Sequence, residues 1–88
     1  MNILKIVIKK QWFDEIASGK KKTEYREVKP FWQSRLYDKD GKKKQYDRIE
    51  FINGYNANAR RMITKYEGFS VRDGRYHIKI GKILRKPF

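Results

Sequence analysis

Residues 3–28, ILKIVIKKQWFDEIASGKKKTEYREV, change hydrophobic period twice, and the fold class follows from those changes. Residues 3–9 alternate, with Leu4, Ile6 and Ile8 on one face and Lys5 and Lys9 on the other, as a half-buried strand requires. The next stretch, QWFDEIASG, shifts to helical spacing. Trp12 and Phe13 reach Ile16 and Ala17, Asp14 and Glu15 suit a first turn, and Gly19 suits a C-terminal cap. Residues 22–28 return to alternation, with Lys22, Glu24, Arg26 and Val28 on one side and Thr23, Tyr25 and Glu27 on the other. A helix of two turns does not persist alone in water, so it must pack on the sheet that its flanking strands enter.

Outward from this unit the pattern stays β-rich. Pro30 ends the second strand and opens a helical turn carrying Phe31, Trp32 and Leu36. Residues 38–44, DKDGKKK, form a solvated turn at Asp40-Gly41. They share the D-x-D-G opening of calcium loops, but no glutamate closes the loop, and a plain turn is the expectation. Three further strands are expected at 47–52, 62–67 and 76–84, joined by the polar loops NGYNANAR and GFSVRDGR. The expected fold is a single β-rich α+β domain over residues 1–88. It is a small mixed β-barrel of five or six strands with one or two short helices, because closure removes exposed strand edges.

Composition bounds the rest. The 88 residues carry 23 Lys plus Arg against 10 Asp plus Glu, a formal charge of +13. Ile, Leu, Val and Phe make up 21 of the 88 residues, enough for a core, and ten isoleucines against three leucines tilt that core towards strands. There is no cysteine, hence no disulfide, no zinc finger and no thiol nucleophile, a composition compatible with a cytoplasmic location. No apolar run approaches the ~18 residues of a membrane span, and the N-terminus lacks the features of a signal peptide. A lone histidine, His77, leaves no two-histidine metal site and no Ser-His-Asp arrangement, and its expected role is structural. No cofactor or metal is expected.

Chemistry concentrates in residues 19–26. Lys21 enters the strand on which Glu24 and Arg26 share a face, and a lysine, a carboxylate and an arginine together can hold a polar ligand. The same residues also suit an exposed, salt-bridged strand edge, and both readings stand on the residues alone. Basic and aromatic side chains interleave elsewhere: Tyr25-Arg26, Lys29 before Phe31-Trp32, Arg35 before Tyr37, and Tyr55 ahead of Arg60-Arg61. Cations neutralise phosphates, and exposed rings stack on unpaired bases. Trp12, Phe13, Phe51 and Trp32 are assigned to packing, whereas Tyr25 and Tyr55 are assigned to a cleft, with Asn53 placed to read a base edge or to cap its turn. The run Lys42-Lys43-Lys44 is expected to be a mobile, solvated loop.

Gly19, Lys21, Glu24 and Arg26 match the G-x-K-x-x-E-x-R signature of the ASCH domain family, a branch of the PUA-like superfamily. A helix ending in Ser18-Gly19 before the motif, the stretch EYREVKPFWQSRL, and Phe51-Ile52-Asn53-Gly54-Tyr55 extend the resemblance over nearly the whole chain, which is similar to the small single-domain members of bacteria and phages. The resemblance implies a PUA-like barrel with a cleft beside the signature loop that binds RNA or nucleotides. Some members are amidohydrolases of N4-acetylcytidine, using the signature lysine, a threonine where this chain has Glu24, and a glutamate from a later strand. Lys21 matches the first, Glu24 departs from the second, and Glu67 is a distant candidate for the third.

The leading expectation is an RNA- or nucleotide-binding domain whose basic cleft uses Lys21, Glu24, Tyr25, Arg26, Lys29, Arg35, Asn53, Tyr55, Arg60 and Arg61. The alternatives are a small hydrolase of a modified nucleoside, with Lys21 as base or nucleophile and Glu24 as its acid/base partner, and an accessory module that docks an acidic protein. RNA is preferred to duplex DNA because no helix is long and basic enough for a major groove.

Overall fold

The computed structural model describes residues 2–88. Five strands, β1 (Ile3–Ile8), β2 (Thr23–Glu27), β3 (Arg48–Asn53), β4 (Arg61–Arg72) and β5 (Arg75–Arg85), form one mixed sheet in the order β1-β3-β4-β5-β2. Only β1 and β3 are parallel; every other neighbour is antiparallel. Two short helices, α1 (Lys10–Ala17) and α2 (Pro30–Leu36), complete a β-rich α+β fold in which the sheet curls into a half-barrel. Neither helix is long enough to cross a membrane.

The alternation read in the first strand sets its burial: Leu4, Ile6 and Ile8 enter the core, where they meet Phe13 and Ile16 of α1, Leu36 of α2, Ile49 and Phe51 of β3, and Tyr76 and Ile78 of β5. Helix α1 begins at Lys10, earlier than expected, so Asp14 lies in its second turn and pairs with Lys10 at 2.7 Å. Gly19 ends it at φ +86°, a left-handed conformation costly for residues with a Cβ, and its N–H donates to the Ile16 carbonyl at 3.1 Å.

Two expectations fail, one in the second half and one in the middle of the chain. The stretch GFSVRDGR is not a loop. Strands β4 and β5 continue through it and turn on Asp73 and Gly74, at φ 53° and 71°, the paired positive values of a two-residue type I′ hairpin. Gly68, at φ +89°, lies where the β4–β5 register shifts, so a glycine that resembled a strand end is instead a bulge. The Lys42–Lys44 run is not simply solvated either: Lys43 Nζ donates to the Phe69 carbonyl at 2.8 Å beside that bulge. Its loop is a plain turn in which Asp38 Oδ1 accepts the N–H groups of Asp40 and Lys42, both at 2.9 Å.

Edge strands β1 and β2 approach each other without a backbone ladder. What joins them is a side chain, with Arg26 Nη2 donating to the Val7 carbonyl at 3.0 Å.

One buried group makes the fold sensitive to alkali. The Tyr66 ring packs edge-on to Tyr46 at 5.4 Å, and its hydroxyl is buried without a hydrogen-bond partner among the described residues. Burial, and secondarily the neighbouring Tyr46, pushes its phenol from 10.0 up to about 12. Between those values the unfolded chain ionises and the folded chain does not, so this contribution to stability is complete below pH ~10 and is lost as the pH rises towards 12. Tyr66→Phe is expected to match or exceed the parent's urea midpoint at pH 7, because no bond is lost. It should also lose less of that midpoint between pH 10 and 12; a large loss at pH 7 would show that the hydroxyl is satisfied.

Candidate nucleic-acid interface

The functional candidate grows from the charge that most needs explaining. Glu24 lies on the inner face of β2, opposite fully buried Ile78, and is only 5% exposed. A carboxylate so far removed from water requires partners. Strand alternation supplies the first, because Arg26 shares its face. Arg26 Nε and Nη2 both donate to Glu24 Oε2, at 2.9 and 2.5 Å. The turn after α1 supplies the second, placing Lys21 Nζ 3.2 Å from Glu24 Oε1. Both cations are themselves partly withdrawn from water, and both face rings. Lys21 Nζ lies 5.2 Å from the Trp12 ring and 5.0 Å from Tyr25, while Arg26 lies 5.1 Å from Trp32.

These residues form the floor of an open cleft of about 1120 Å³ along the seam between β1 and β2. Because β2 is an edge strand, both of its faces contribute: Glu24 and Arg26 from the inner face, Tyr25 and Glu27 from the outer. Val7 and Ile8 of β1 form the opposite wall, Trp12 and Trp32 come from the two helices, and Asn53, Gly54 and Tyr55 come from the β3–β4 loop. Tyr55 is 93% exposed, a ring standing in solvent at the rim, and Tyr25 is held edge-on to His77 at 4.8 Å. Six cations line the cleft, Lys9, Lys10, Lys21, Arg26, Lys29 and Arg75, against two carboxylates. One of those, Glu27, accepts from Lys29 at 2.6 Å, and this hydrogen bond, with the attraction of the charges, holds the Glu27 carboxyl below its ordinary range and the Lys29 ammonium above it.

Of the residues expected at the site, Lys21, Glu24, Tyr25, Arg26, Lys29, Asn53 and Tyr55 meet in the cleft. Arg35, Arg60 and Arg61 do not. Arg35 lies over the Phe31 ring at 4.0 Å, Arg60 over Phe13 at 5.5 Å, and Arg61 pairs with Glu50 at 3.0 Å. Glu67 is remote as well, lining a separate pocket of about 160 Å³ beside the Gly68 bulge. Trp12, assigned to the core on helical spacing, is 39% exposed and forms a cleft wall, since Phe13 and Ile16 carry the buried stripe of α1. Trp32 packs on the core and faces the cleft at once. Lys9, Lys10 and Arg75 were not anticipated. The Asp73-Gly74 turn signal would have placed Arg75 at the start of β5 opposite Arg72, but its pairing with Glu27, which brings it to the cleft, follows from the docking of β2 on β5.

Comparison with protein-family models, with curated proteins and with solved structures finds no match to this chain.

The Lys21–Glu24–Arg26 cluster makes a sharp prediction about stability. Arg26→Met leaves Glu24 with one partner and removes the Val7 bond, and is expected to cost about 3–5 kcal/mol in urea unfolding. Lys21→Met should cost less, because Arg26 remains. Arg26→Lys, which keeps the charge but not the fork, should fall between the two. Equal midpoints for Arg26→Met and the parent would show that the cluster does not hold the seam.

Proposed function

We propose that the chain binds single-stranded RNA, or a nucleotide fragment of it, in the seam cleft. The observation that carries this reading is the cleft's composition: a charged floor of Lys21, Glu24 and Arg26 between exposed aromatic walls, with cations in excess at the rim. The rings of Trp12, Tyr25 and Tyr55 offer faces to unstacked bases, and the rim cations offer counter-charge to phosphates. Asn53 adds an amide for a base edge. The ASCH-like signature supports the same reading, since its residues form the floor. Duplex DNA is less well supported, as α1 and α2 have eight and seven residues.

A hydrolytic role has one observation in its favour, the 3.2 Å contact of Lys21 with Glu24 inside the cleft. It has less support than binding, because Glu67 is remote and Lys21 is held between a carboxylate and two rings. Turnover of N4-acetylcytidine by the folded protein, abolished in Lys21→Ala, would favour hydrolysis. The docking of an acidic protein would not need exposed rings in a cleft.

Binding should be strongly salt-dependent. If four of the six cleft cations each take a phosphate of a single strand, log Kd against log salt has a slope of about 2.8. Affinity would then fall about 50-fold between ~50 and ~200 mM salt. Trp12→Ala should weaken an oligoribonucleotide by about 1–3 kcal/mol, the value of one stacked base, measured under conditions where circular dichroism shows the variant folded. Affinity that does not change across that salt range would sink the phosphate-contact reading.

A further inference from the structure

The β4–β5 hairpin carries a feature that the cleft alone does not explain. Beside its two-residue turn, Arg72 and Arg75 lie directly opposite each other in the ladder, both exposed. Like charges at directly opposed positions destabilise a strand pair, and Asp73 in the turn between them makes no ion pair with either within 4.0 Å. Glu27 is opposite Arg75 in the ladder with β2, yet its carboxylate closes on Lys29 at 2.6 Å. Among the described residues, neither arginine has an ion pair within 4.0 Å.

The position of the pair gives it a use. Arg75 lines the cleft, and its guanidinium sits 5.2 Å from the Tyr25 ring, which also has Lys21 at 5.0 Å and His77 edge-on at 4.8 Å. Arg72 is the next residue outward on the same face. Lys21, Tyr25, Arg75 and Arg72 therefore mark a continuous line from the cleft floor to the hairpin tip, a ring flanked by cations and then a second cation beyond. A base stacked on Tyr25 would have its phosphate at Arg75, and the following phosphate within reach of Arg72. Opposed residues of an antiparallel pair are only about 5 Å apart at Cα, and the arginine fork matches phosphate oxygens.

We infer that the hairpin tip is a phosphate subsite that extends the cleft, so that the ligand is a single-stranded oligonucleotide crossing from Tyr25 to Arg72 rather than a lone nucleotide. The inference rests on the RNA-binding reading and specifies the length and path of the ligand. It also gives the opposed arginines a function: an anion laid between them turns their repulsion into binding.

Arg72 lies outside the cleft, which makes it the discriminating position. Hexauridylate and uridine 5′-monophosphate are titrated against the parent, Arg72→Glu and Arg72→Lys at several salt concentrations, with circular dichroism confirming the fold. Arg72→Glu is expected to weaken hexauridylate about tenfold. It should also make its log–log salt slope shallower by about 0.7, one phosphate contact on a single strand. The monophosphate Kd should stay unchanged, and Arg72→Lys should keep most of the slope. Unchanged hexauridylate affinity and slope would overturn the subsite while leaving the cleft reading intact, as would an equal loss for both ligands. A hexaglutamate peptide bound as tightly as hexauridylate, and lost equally in Arg72→Glu, would overturn the nucleic-acid assignment. Failure of the parent to bind either nucleotide ligand would overturn both readings.

Discussion

A single carboxylate organises this molecule. Glu24 is almost withdrawn from water on an edge strand, a position whose cost is several kcal/mol unless cations and hydrogen bonds surround it. Two do. The period of β2 places Arg26 beside it, and the turn that Gly19 permits places Lys21 on its other oxygen. The same guanidinium then reaches across to the Val7 carbonyl, so the group that neutralises Glu24 also ties the two edges of the half-barrel together. Stability and the proposed ligand recognition draw on the same atoms. A ligand that competed for Arg26 would loosen the seam, whereas one that engages the remaining faces of Lys21 and Arg26 leaves it closed.

The large net charge divides into kinds. Much of it is absorbed locally: Arg35 lies on Phe31, Arg85 on Phe88 at 3.6 Å, and Lys43 is spent on a backbone carbonyl. These contacts lay charge across apolar surface that a small domain cannot bury, much as long basic side chains snorkel elsewhere. Around the seam, Lys10, Lys21, Arg26 and Lys29 are paired with carboxylates, whereas Arg72 and Arg75 at the hairpin tip have no ion pair among the described residues. The overall field would raise the encounter rate with any polyanion, and the seam cations share one cleft with the exposed rings of Trp12, Tyr25 and Tyr55.

Legibility in the sequence followed the range of the forces involved. Strand β1, the Gly19 cap, the Pro30 helix start and the Glu24–Arg26 face were all readable, because each rests on a local period or a backbone preference. Gly68 and Asp73-Gly74 misled for the opposite reason. Glycine ends a strand or kinks it with equal ease, and only the partner strand decides, here by pairing on both sides of Gly68 up to the turn at Asp73-Gly74. Seven of the expected site residues converge because they lie on or near the β1–β2 seam. Arg35, Arg60 and Arg61 do not, since nearness to aromatics in sequence says nothing about which ring a guanidinium will cover. The exposure of Trp12 was equally hidden. At helical spacing it resembles Phe13, and only the docking angle of α1 separates the two.

The topology also sets an order of assembly. Strands β4 and β5 meet through a two-residue turn, and hairpins of this kind close in about 1–10 μs. Strand β1, by contrast, pairs in parallel with β3, Ile3 opposite Arg48, at a sequence separation of 45. Closing so long a loop has an entropic cost that must be met before its contacts contribute. Hydrogen bonding at the seam waits on both events, because Arg26 and Val7 belong to the two outermost strands. On this order the Arg26–Val7 closure of the cleft is expected to form last and to open first. The cleft's backbone amides would exchange with solvent well ahead of those in the hairpin that overhangs it.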